Sequence, residues 1–157
     1  GLDGYSQLFH SLGARDPMVI KLGNQFLCYH SGNILHTEDS RQNVIALRTS
    51  FDLINWSDYK IVSSGGSPGY HGSSAECPFV IFLDGYYYLF RSSSYAPPVN
   101  HVYRSKDPMN FGIDSDKKKI TTLAAAAPEI IQIGNQFYIS TVADLKGGIQ
   151  VAKLRWD

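Results

Sequence analysis

The sequence has no excess of charge of either sign and no long apolar run, and each shortage argues against a class of function. Fourteen Lys and Arg residues balance fourteen Asp and Glu residues among the 157, so there is no electrostatic argument for binding nucleic acid or an anionic membrane. No apolar run approaches the ~20 residues that a membrane-spanning helix needs, and residues 1–10 lack the basic and apolar regions of a signal peptide. We expect a soluble chain with no nucleic-acid or membrane partner, whose ligand carries little or no charge.

Cysteine is also scarce. The two cysteines, Cys28 and Cys77, lie in or beside apolar runs, which favours buried free thiols over a disulfide. They do not fix the compartment, so a cytoplasmic and a secreted or periplasmic location both stay open. His36, Glu38 and Asp39 lack the spacing of metal ligands, and we expect neither a bound metal nor a cofactor.

A sustained helical period is missing too, and the sequence instead repeats one β-sheet unit three times. Residues 14–30 align without gaps on residues 75–91, and residues 77–89 align on residues 127–139. Each copy reads as a short apolar strand, a two-residue turn and an aromatic-rich second strand. The turns consist of residue types that tolerate positive φ: Gly23-Asn24, Asp84-Gly85 and Gly134-Asn135. Third strands are predicted at residues 44–50, 101–105 and 149–154, and loops at 31–43, 63–74 and 92–100.

Units of about 50 to 60 residues with several antiparallel strands have the size of propeller blades. We therefore predict an all-β chain in which residues 1–157 form about three blades of a β-propeller, with inner strands starting near residues 15, 76 and 127. Near-continuous apolar first strands, such as residues 79–83, suit the innermost strand of a blade, which neighbouring blades cover on both faces.

The propeller arrangement predicts which side chains meet. Inner strands start at one rim of the central channel, and each antiparallel second strand ends at that same rim. The predicted rim residues are Arg15, Asp16, Glu76 and Cys77 at strand starts, with His30 and Arg91 at strand ends.

The two acids occupy different places in the repeat. Asp16 aligns with Cys77, whereas Glu76 aligns with Arg15, and the third copy has only alanines, Ala126 and Ala127, at these positions. A purely structural repeat has no need of this asymmetry, which favours two different roles for the two carboxylates.

The motifs Arg15-Asp16-Pro17 and Glu76-Cys77-Pro78, each opening a repeat, resemble the Arg-Asp-Pro and Glu-Cys signatures of five-bladed glycoside hydrolases of families 32 and 43. Residues 126–131 and 148–156 are similar to later blades of these enzymes. The resemblance covers nearly the whole chain, from about Leu8 onward. It implies a sugar-cleaving enzyme in which Glu76 is the general acid and Asp16 stabilises the transition state or tunes the acid.

The chemistry implied by the resemblance needs such a pair. An acid protonates the departing glycosidic oxygen while a carboxylate acts on the anomeric carbon, and burial beside Pro78 and Phe79 would help Glu76 keep its proton. The family's third carboxylate, an Asp that acts as nucleophile or base, comes from an earlier blade. Asp3 is the only acid upstream of Arg15, and its Leu-Asp-Gly context is typical of a loop.

Four further residues are candidates for binding the substrate: Arg15, Arg91, His30 and His71. Arg15 could donate hydrogen bonds to sugar hydroxyls or form a salt bridge between blades. Tyr86, Tyr87 and Tyr88 could form a sugar-stacking platform, but aromatic residues in a second strand favour a core position. Glu129 aligns with Phe79 and falls outside the catalytic positions.

Two other interpretations stay open: a non-catalytic carbohydrate-binding or scaffold propeller, and one part of an obligate assembly. Three blades leave two open flanks, so we expect further protein to cover them, either the missing N-terminal blades or a second copy of this chain. The face that carries Ile20, Leu22 and Phe26 is one expected open flank.

Overall fold

The computed structural model describes residues 14–37, 40–142 and 147–156, and all regular structure in these ranges is β-strand. The strands are β1 Arg15–Leu22, β2 Gln25–Thr37, β3 Ser40–Ser50, β4 Lys60–Ser64, β5 Glu76–Leu83, β6 Tyr86–Tyr95, β7 Pro98–Ser105, β8 Gly112–Ile113, β9 Lys119–Leu123, β10 Ile130–Ile133, β11 Gln136–Val142 and β12 Ile149–Leu154. Within these ranges, no helix is long and apolar enough to cross a membrane.

The strands form three sheets that we call blades 1, 2 and 3. Blade 1 has the order β1-β2-β3-β4, with β8 added in parallel to β4; blade 2 has the order β5-β6-β7-β9; blade 3 has the order β10-β11-β12. The first strand of each copy stands at one edge of its sheet, and β1 lies against β5. The chain is therefore all-β and forms three blades of a partial propeller, as predicted.

The hairpins between first and second strands follow the repeat. Gly23, Asp84 and Gly134 adopt φ angles of 58°, 49° and 58°, so all three turns use the left-handed region that glycine and aspartate tolerate. The predicted third strands correspond to β3, β7 and β12, and the last coincides with residues 149–154.

Two of the predicted loops are wrong. β2 and β3 extend through most of residues 31–43, and β6 and β7 cover residues 92–100 except for the turn at 96–97. Polar sequence here reflects a buried hydrogen-bond network rather than solvent: Ser92 and Asn100 are each 0% exposed, and Asn100 Nδ2 donates to Ser92 Oγ at 3.0 Å. The third predicted loop, residues 63–74, is irregular after β4 ends at Ser64.

Blades stack face to face through two apolar cores. Because side chains alternate along β6, Tyr87 and Leu89 enter the core between blades 1 and 2, while Tyr88 and Phe90 enter the core between blades 2 and 3. Each large side chain buried in this way contributes about 1.5–3 kcal/mol. The structure thus places Tyr87 and Tyr88 in blade-to-blade packing and Tyr86 under the cations of Arg104 and Lys106.

An exposed apolar face lies on blade 3. Ile130 packs into the second core, but Ile131 and Ile133, on the opposite face of β10, are 57% and 62% exposed. The register of β10, β11 and β12 puts Ile149 and Val151 on this same face, where they are 75% and 67% exposed. We call these four residues the open face.

The flank predicted around Ile20 needs correction. Ile20 packs against the core between blades 1 and 2, and Phe26 is half-buried beneath Lys21. Of the three residues named, only Leu22 is exposed, at 42%. Ile20 pairs with Leu27 on the face that packs against blade 2, whereas Phe26 pairs with Lys21 on the opposite face, so the three residues do not form one exposed flank.

Candidate active site at the junction of blades 1 and 2

The start of each inner strand has an unusual backbone. Asp16, Cys77 and Ala127 occupy one position of the repeat, and their φ angles are 58°, 47° and 46°. In blades 1 and 2 the register of the pairing with the second strand shifts at this position. The shift lies between Arg15 and Met18 in blade 1 and between Glu76 and Phe79 in blade 2. Such bulges re-aim side chains at a sheet end, and here they set the directions of the residues next to Asp16 and Cys77.

Asp16 joins the two blades through one carboxylate oxygen. Its Oδ2 accepts a hydrogen bond from the Ser31 hydroxyl at 3.0 Å and another from the backbone N–H of Cys77 at 3.1 Å. The first bond ties β1 to β2 within blade 1, and the second crosses to β5 of blade 2. Asp16 is therefore a fixed part of the junction.

Arg15 connects the two carboxylates. Its Nη2 donates to Oε1 of Glu76 on the neighbouring blade, and its Nε lies 3.7 Å from Oδ2 of Asp16. The side chain of Glu76 is 14% exposed and that of Asp16 28% exposed, so both are sheltered but reachable. The structure thus brings together Arg15, Asp16 and Glu76, and it contains the inter-blade salt bridge that the sequence left open for Arg15.

Cys77 faces a phenol rather than a second thiol. Its Sγ lies 3.1 Å from the hydroxyl of Tyr95, at the end of β6. Burial raises the pKa of Cys77 to about 11 and also raises the pKa of Tyr95, so both groups keep their protons at neutral pH. Both cysteines are free thiols as expected, but only Cys28 is buried, since Cys77 is half-buried.

The junction between blades 2 and 3 shows that a carboxylate is not needed to join blades. There the backbone N–H of Ala127 donates to the hydroxyl of Ser92 at 2.9 Å, and that of Ala126 donates to the hydroxyl of Thr141 at 2.8 Å. Ser92 occupies the same place in its repeat as Ser31. Hydroxyls therefore suffice to join blades 2 and 3, whereas blades 1 and 2 are joined through charged side chains.

Arg91 does not lie where the sequence predicted. It is 0% exposed, and its guanidinium donates to Ser74 O at 2.7 Å, Ser63 Oγ at 3.2 Å and Gly69 O at 3.5 Å. A side chain enclosed in this way has no surface for a substrate, so direct contact with sugar is not what the structure offers. Arg91 instead braces the segment of residues 65–74 that leads to Glu76.

His30 is also enclosed. It is 0% exposed, with Nδ1 3.1 Å from the carbonyl oxygen of Ser31. Burial lowers its pKa, and the nearby charge of Arg48 adds to this effect, so the neutral ring is favoured. β2 continues to Thr37, so the prediction that His30 ends its strand at the rim is wrong: it lies within the strand, and its side chain is buried.

His71 is exposed in the segment that Arg91 braces. Its Nδ1 lies 3.2 Å from the hydroxyl of Ser73, and the segment is held from blade 1 by Asn43, whose Nδ2 donates to Gly72 O at 2.8 Å. A solvent-facing ring on a fixed segment stays available for ligand contact.

Sequence reasoning missed Ser31, Ser92 and Tyr95, because the stretches that contain them were predicted as loops. A usable signal existed for the two serines, which align in the repeat directly after His30 and Arg91. Tyr95 has no counterpart in the other copies, and its contact with Cys77 depends on β6 extending beyond the apolar part of the strand.

A cavity of about 630 Å³ lies away from the candidate site, between the end of β9 and the strands β11 and β12, and none of the predicted site residues lines it. Among the described residues, no group of three or more His, Cys, Asp or Glu side chains is arranged to hold a metal ion.

By sequence alone, no family model and no curated protein matches the chain. Solved structures match by fold. The exo-β-1,3-galactanase of Phanerochaete chrysosporium, solved with galactose, superposes with a TM-score of 0.69 at 19% identity over 92% of this chain and 36% of its own. The α-L-arabinanase of Cellvibrio cellulosa gives 0.60 at 17% identity over 92% and 49%, respectively.

The GH32 β-fructofuranosidase of Bombyx mori gives a TM-score of 0.59 at 16% identity over 87% of this chain and 32% of its own. The chain therefore spans between a third and a half of the length of these proteins. At such identities the likeness concerns the fold: these three blades have the architecture of part of the propeller found in glycoside hydrolases of families 32 and 43.

Proposed function

We propose that this chain contributes the acid side of a glycoside hydrolase active site, with Glu76 as the general acid and Asp16 as the carboxylate that stabilises the transition state or tunes the acid. The main support is the cluster of Arg15, Asp16 and Glu76 at the junction of blades 1 and 2. The junction of blades 2 and 3, in contrast, is bonded through hydroxyl groups. The structural neighbours that cleave glycosides add support at the level of the fold.

The geometry suits the chemistry. Glycoside cleavage needs a proton for the departing oxygen and negative charge near the oxocarbenium-like centre, and the two carboxyl groups stand on neighbouring blades with one guanidinium between them. In this proposal Arg15 also donates hydrogen bonds to sugar hydroxyls, and His71 contacts the sugar from its segment. Arg91 acts indirectly, by fixing that segment.

A third carboxylate, the nucleophile or base, completes the proposal. Asp3, the only acid upstream of Arg15, lies outside the described residues. We propose that further blades, or a second copy of this chain, supply the missing group and cover the open face.

The test uses the chain joined to the blades that complete it. Oligosaccharides and aryl glycosides of galactose, arabinofuranose and fructose form the panel, chosen after the named activities of the structural neighbours. Asp16→Asn and Glu76→Gln should each lower kcat/KM by at least about a hundredfold, whereas Glu129→Gln, an exposed acid next to the third inner strand, should leave it unchanged. Full activity in both site variants, or no hydrolysis by the wild type, contradicts the proposal.

One observation favours a second candidate, a carbohydrate-binding propeller without catalysis. The ion pair of Arg15 with Glu76 presents a donor group beside carboxylate acceptors, an arrangement that can bind sugar hydroxyls with no proton transfer. Sugar binding by the wild type that Glu76→Gln weakens, with no turnover of any member of the panel, would establish this alternative.

A further inference from the structure

The conformation of Cys77 decides where Glu76 points. Cys77 follows Glu76 directly, and its φ of 47° belongs to the left-handed region that residues with a Cβ rarely occupy. Such a conformation is strained and persists only where the surroundings enforce it. Contacts that hold Cys77 therefore also hold the Glu76 carboxyl group in place.

Two contacts hold Cys77 from different sides. The Asp16 carboxylate accepts its backbone N–H at 3.1 Å, and the Tyr95 hydroxyl lies 3.1 Å from its Sγ. Tyr95 comes from β6, which pairs with β5 in the same blade. The strained residue is thus fixed by its backbone to blade 1 and by its side chain to blade 2.

The repeat provides an internal comparison. At the equivalent position of blade 1, Asp16 has φ 58° and its side chain also meets a hydroxyl from the second strand, Ser31 Oγ at 3.0 Å. In blade 3 the position is Ala127, which has φ 46° with its backbone N–H bound to Ser92. Its methyl group offers nothing for a hydroxyl to bind, so the left-handed backbone alone does not require the side-chain contact. The contact between a second-strand hydroxyl and this side chain therefore occurs in the two blades that place carboxylates at the junction, and not in the blade that has none.

From this comparison we infer that Tyr95 is a positioning residue for Glu76, acting through its hydroxyl contact with the Cys77 thiol. The inference rests on the proposed function of Glu76. The environment of Tyr95 suits the role, because burial first, then the contact with the Cys77 thiol, and then the charge of Glu76 and a hydrogen bond with its side chain raise the pKa of the phenol, which stays protonated and uncharged over the working pH range. A thiol and a phenol can each donate to the other, so the contact needs no ionised partner.

The contact itself is tested on the chain as it stands, without reference to activity. In a Cys28→Ala background Cys77 is the only thiol, and the Raman S–H stretching band reports its hydrogen bonding. Tyr95→Phe should shift this band, because the ring is retained and the hydroxyl is lost. Tyr88→Phe removes a hydroxyl from the same strand, where the ring packs on Trp156, and should leave the band unchanged. A band that does not respond to Tyr95→Phe overturns the inference.

The role is tested by a double-mutant cycle in the completed propeller. Tyr95→Phe and Cys77→Ala should each lower kcat on oligosaccharides by on the order of 10- to 100-fold with little change in KM, as loss of positioning does. The double variant should be no worse than the worse single variant, and Cys77→Ser, which keeps a hydrogen-bonding group, should recover part of the loss. Losses that multiply in the double variant, or an unchanged kcat in Tyr95→Phe, refute the inference.

Glu76→Gln, assayed in the same series, distinguishes a failure of the Tyr95 inference from a failure of the proposed function of Glu76. If Glu76→Gln is inactive while Tyr95→Phe is fully active, only the role of Tyr95 is wrong. If Glu76→Gln is fully active, the proposed function itself fails, and the role of Tyr95 fails with it.

Discussion

Asp16 combines a structural task with a proposed chemical task in one carboxylate. Its Oδ2 accepts two hydrogen bonds that join strands and blades, and the same oxygen lies 3.7 Å from Arg15. The equivalent residue of blade 3, Ala127, forms its junction by its backbone alone. The structural task needs an acceptor for the next blade's N–H, which the hydroxyl of Ser92 supplies at the second junction, whereas the proposed chemical task needs a charge.

Substitutions of Asp16 should separate these tasks. Asp16→Asn keeps an acceptor oxygen for Ser31 and for the Cys77 N–H, so we expect it to change the free energy of unfolding by less than about 1 kcal/mol. Asp16→Ala leaves both donors without this acceptor and should cost about 1–3 kcal/mol. Urea unfolding of the two variants measures the difference. Equal destabilisation by Asn and Ala would mean that the charge itself holds the junction together.

At the scale of the elements, the hairpin turns could be predicted directly from the sequence, whereas the polar residues at the ends of the strands could not be recognised as strand. Turn residues such as Gly23 and Asp84 have few alternatives to a tight turn, and local rules identify them. Ser92 and Asn100 are typical of loops by composition, yet the neighbouring blades bury them inside strands. Arg15, Asp16 and Glu76 were predicted to meet, and the structure brings them into contact. The inward direction of Arg91 depends on the path of residues 65–74, which no local pattern determines.

His101 makes the stability of blade 2 depend on pH. It is 8% exposed on β7, with Nε2 2.9 Å from Ser93 Oγ on β6 and Nδ1 3.4 Å from Thr122 Oγ1 on β9. Burial, followed by the charges of Lys119 and Arg91, lowers its pKa from 6.5 to about 4. Between these two values the unfolded chain binds more protons than the folded one, so stability falls as the pH is lowered from 6.5 to 4.

We expect this histidine to account for up to about 3 kcal/mol of that fall. His101→Gln cannot titrate, but its amide can still meet the Ser93 hydroxyl. Because other groups titrate equally in both proteins, the difference between wild type and His101→Gln across pH 4 to 7, measured by urea unfolding, isolates the contribution of His101. A difference that does not vary with pH would show that the ring is not held neutral.

At the scale of the whole molecule, the blades form a one-dimensional array in which each sheet needs a neighbour on both faces. Blade 2 has neighbours on both sides, and few residues of its strands are exposed, whereas blade 3 presents the open face of Ile131, Ile133, Ile149 and Val151. Contiguous apolar surface of this kind marks an interaction surface or an aggregation liability. It agrees with a chain that spans only part of the length of the solved propellers it matches.

Light scattering of the isolated chain tests whether the open face needs a partner. We expect self-association rather than a monomer of 17.4 kDa, and we expect Ile149→Lys with Val151→Lys to reduce it by placing charge on that face. Phe51→Lys is the matched control, because Phe51 is 74% exposed on a turn after β3 and should not affect association. A well-folded, monodisperse monomer in the wild type would show that three blades are sufficient.

The leaving-group dependence of Glu76→Gln tests the proposed chemistry most directly. In the completed propeller, loss of the general acid should slow hydrolysis of glycosides with poor leaving groups, such as alkyl glycosides and oligosaccharides, by about two to four orders of magnitude. Glycosides of the same sugar with a dinitrophenol leaving group need little proton donation and should be slowed far less. An equal loss on both substrates, or no loss on either, would contradict the assignment of Glu76 as the acid.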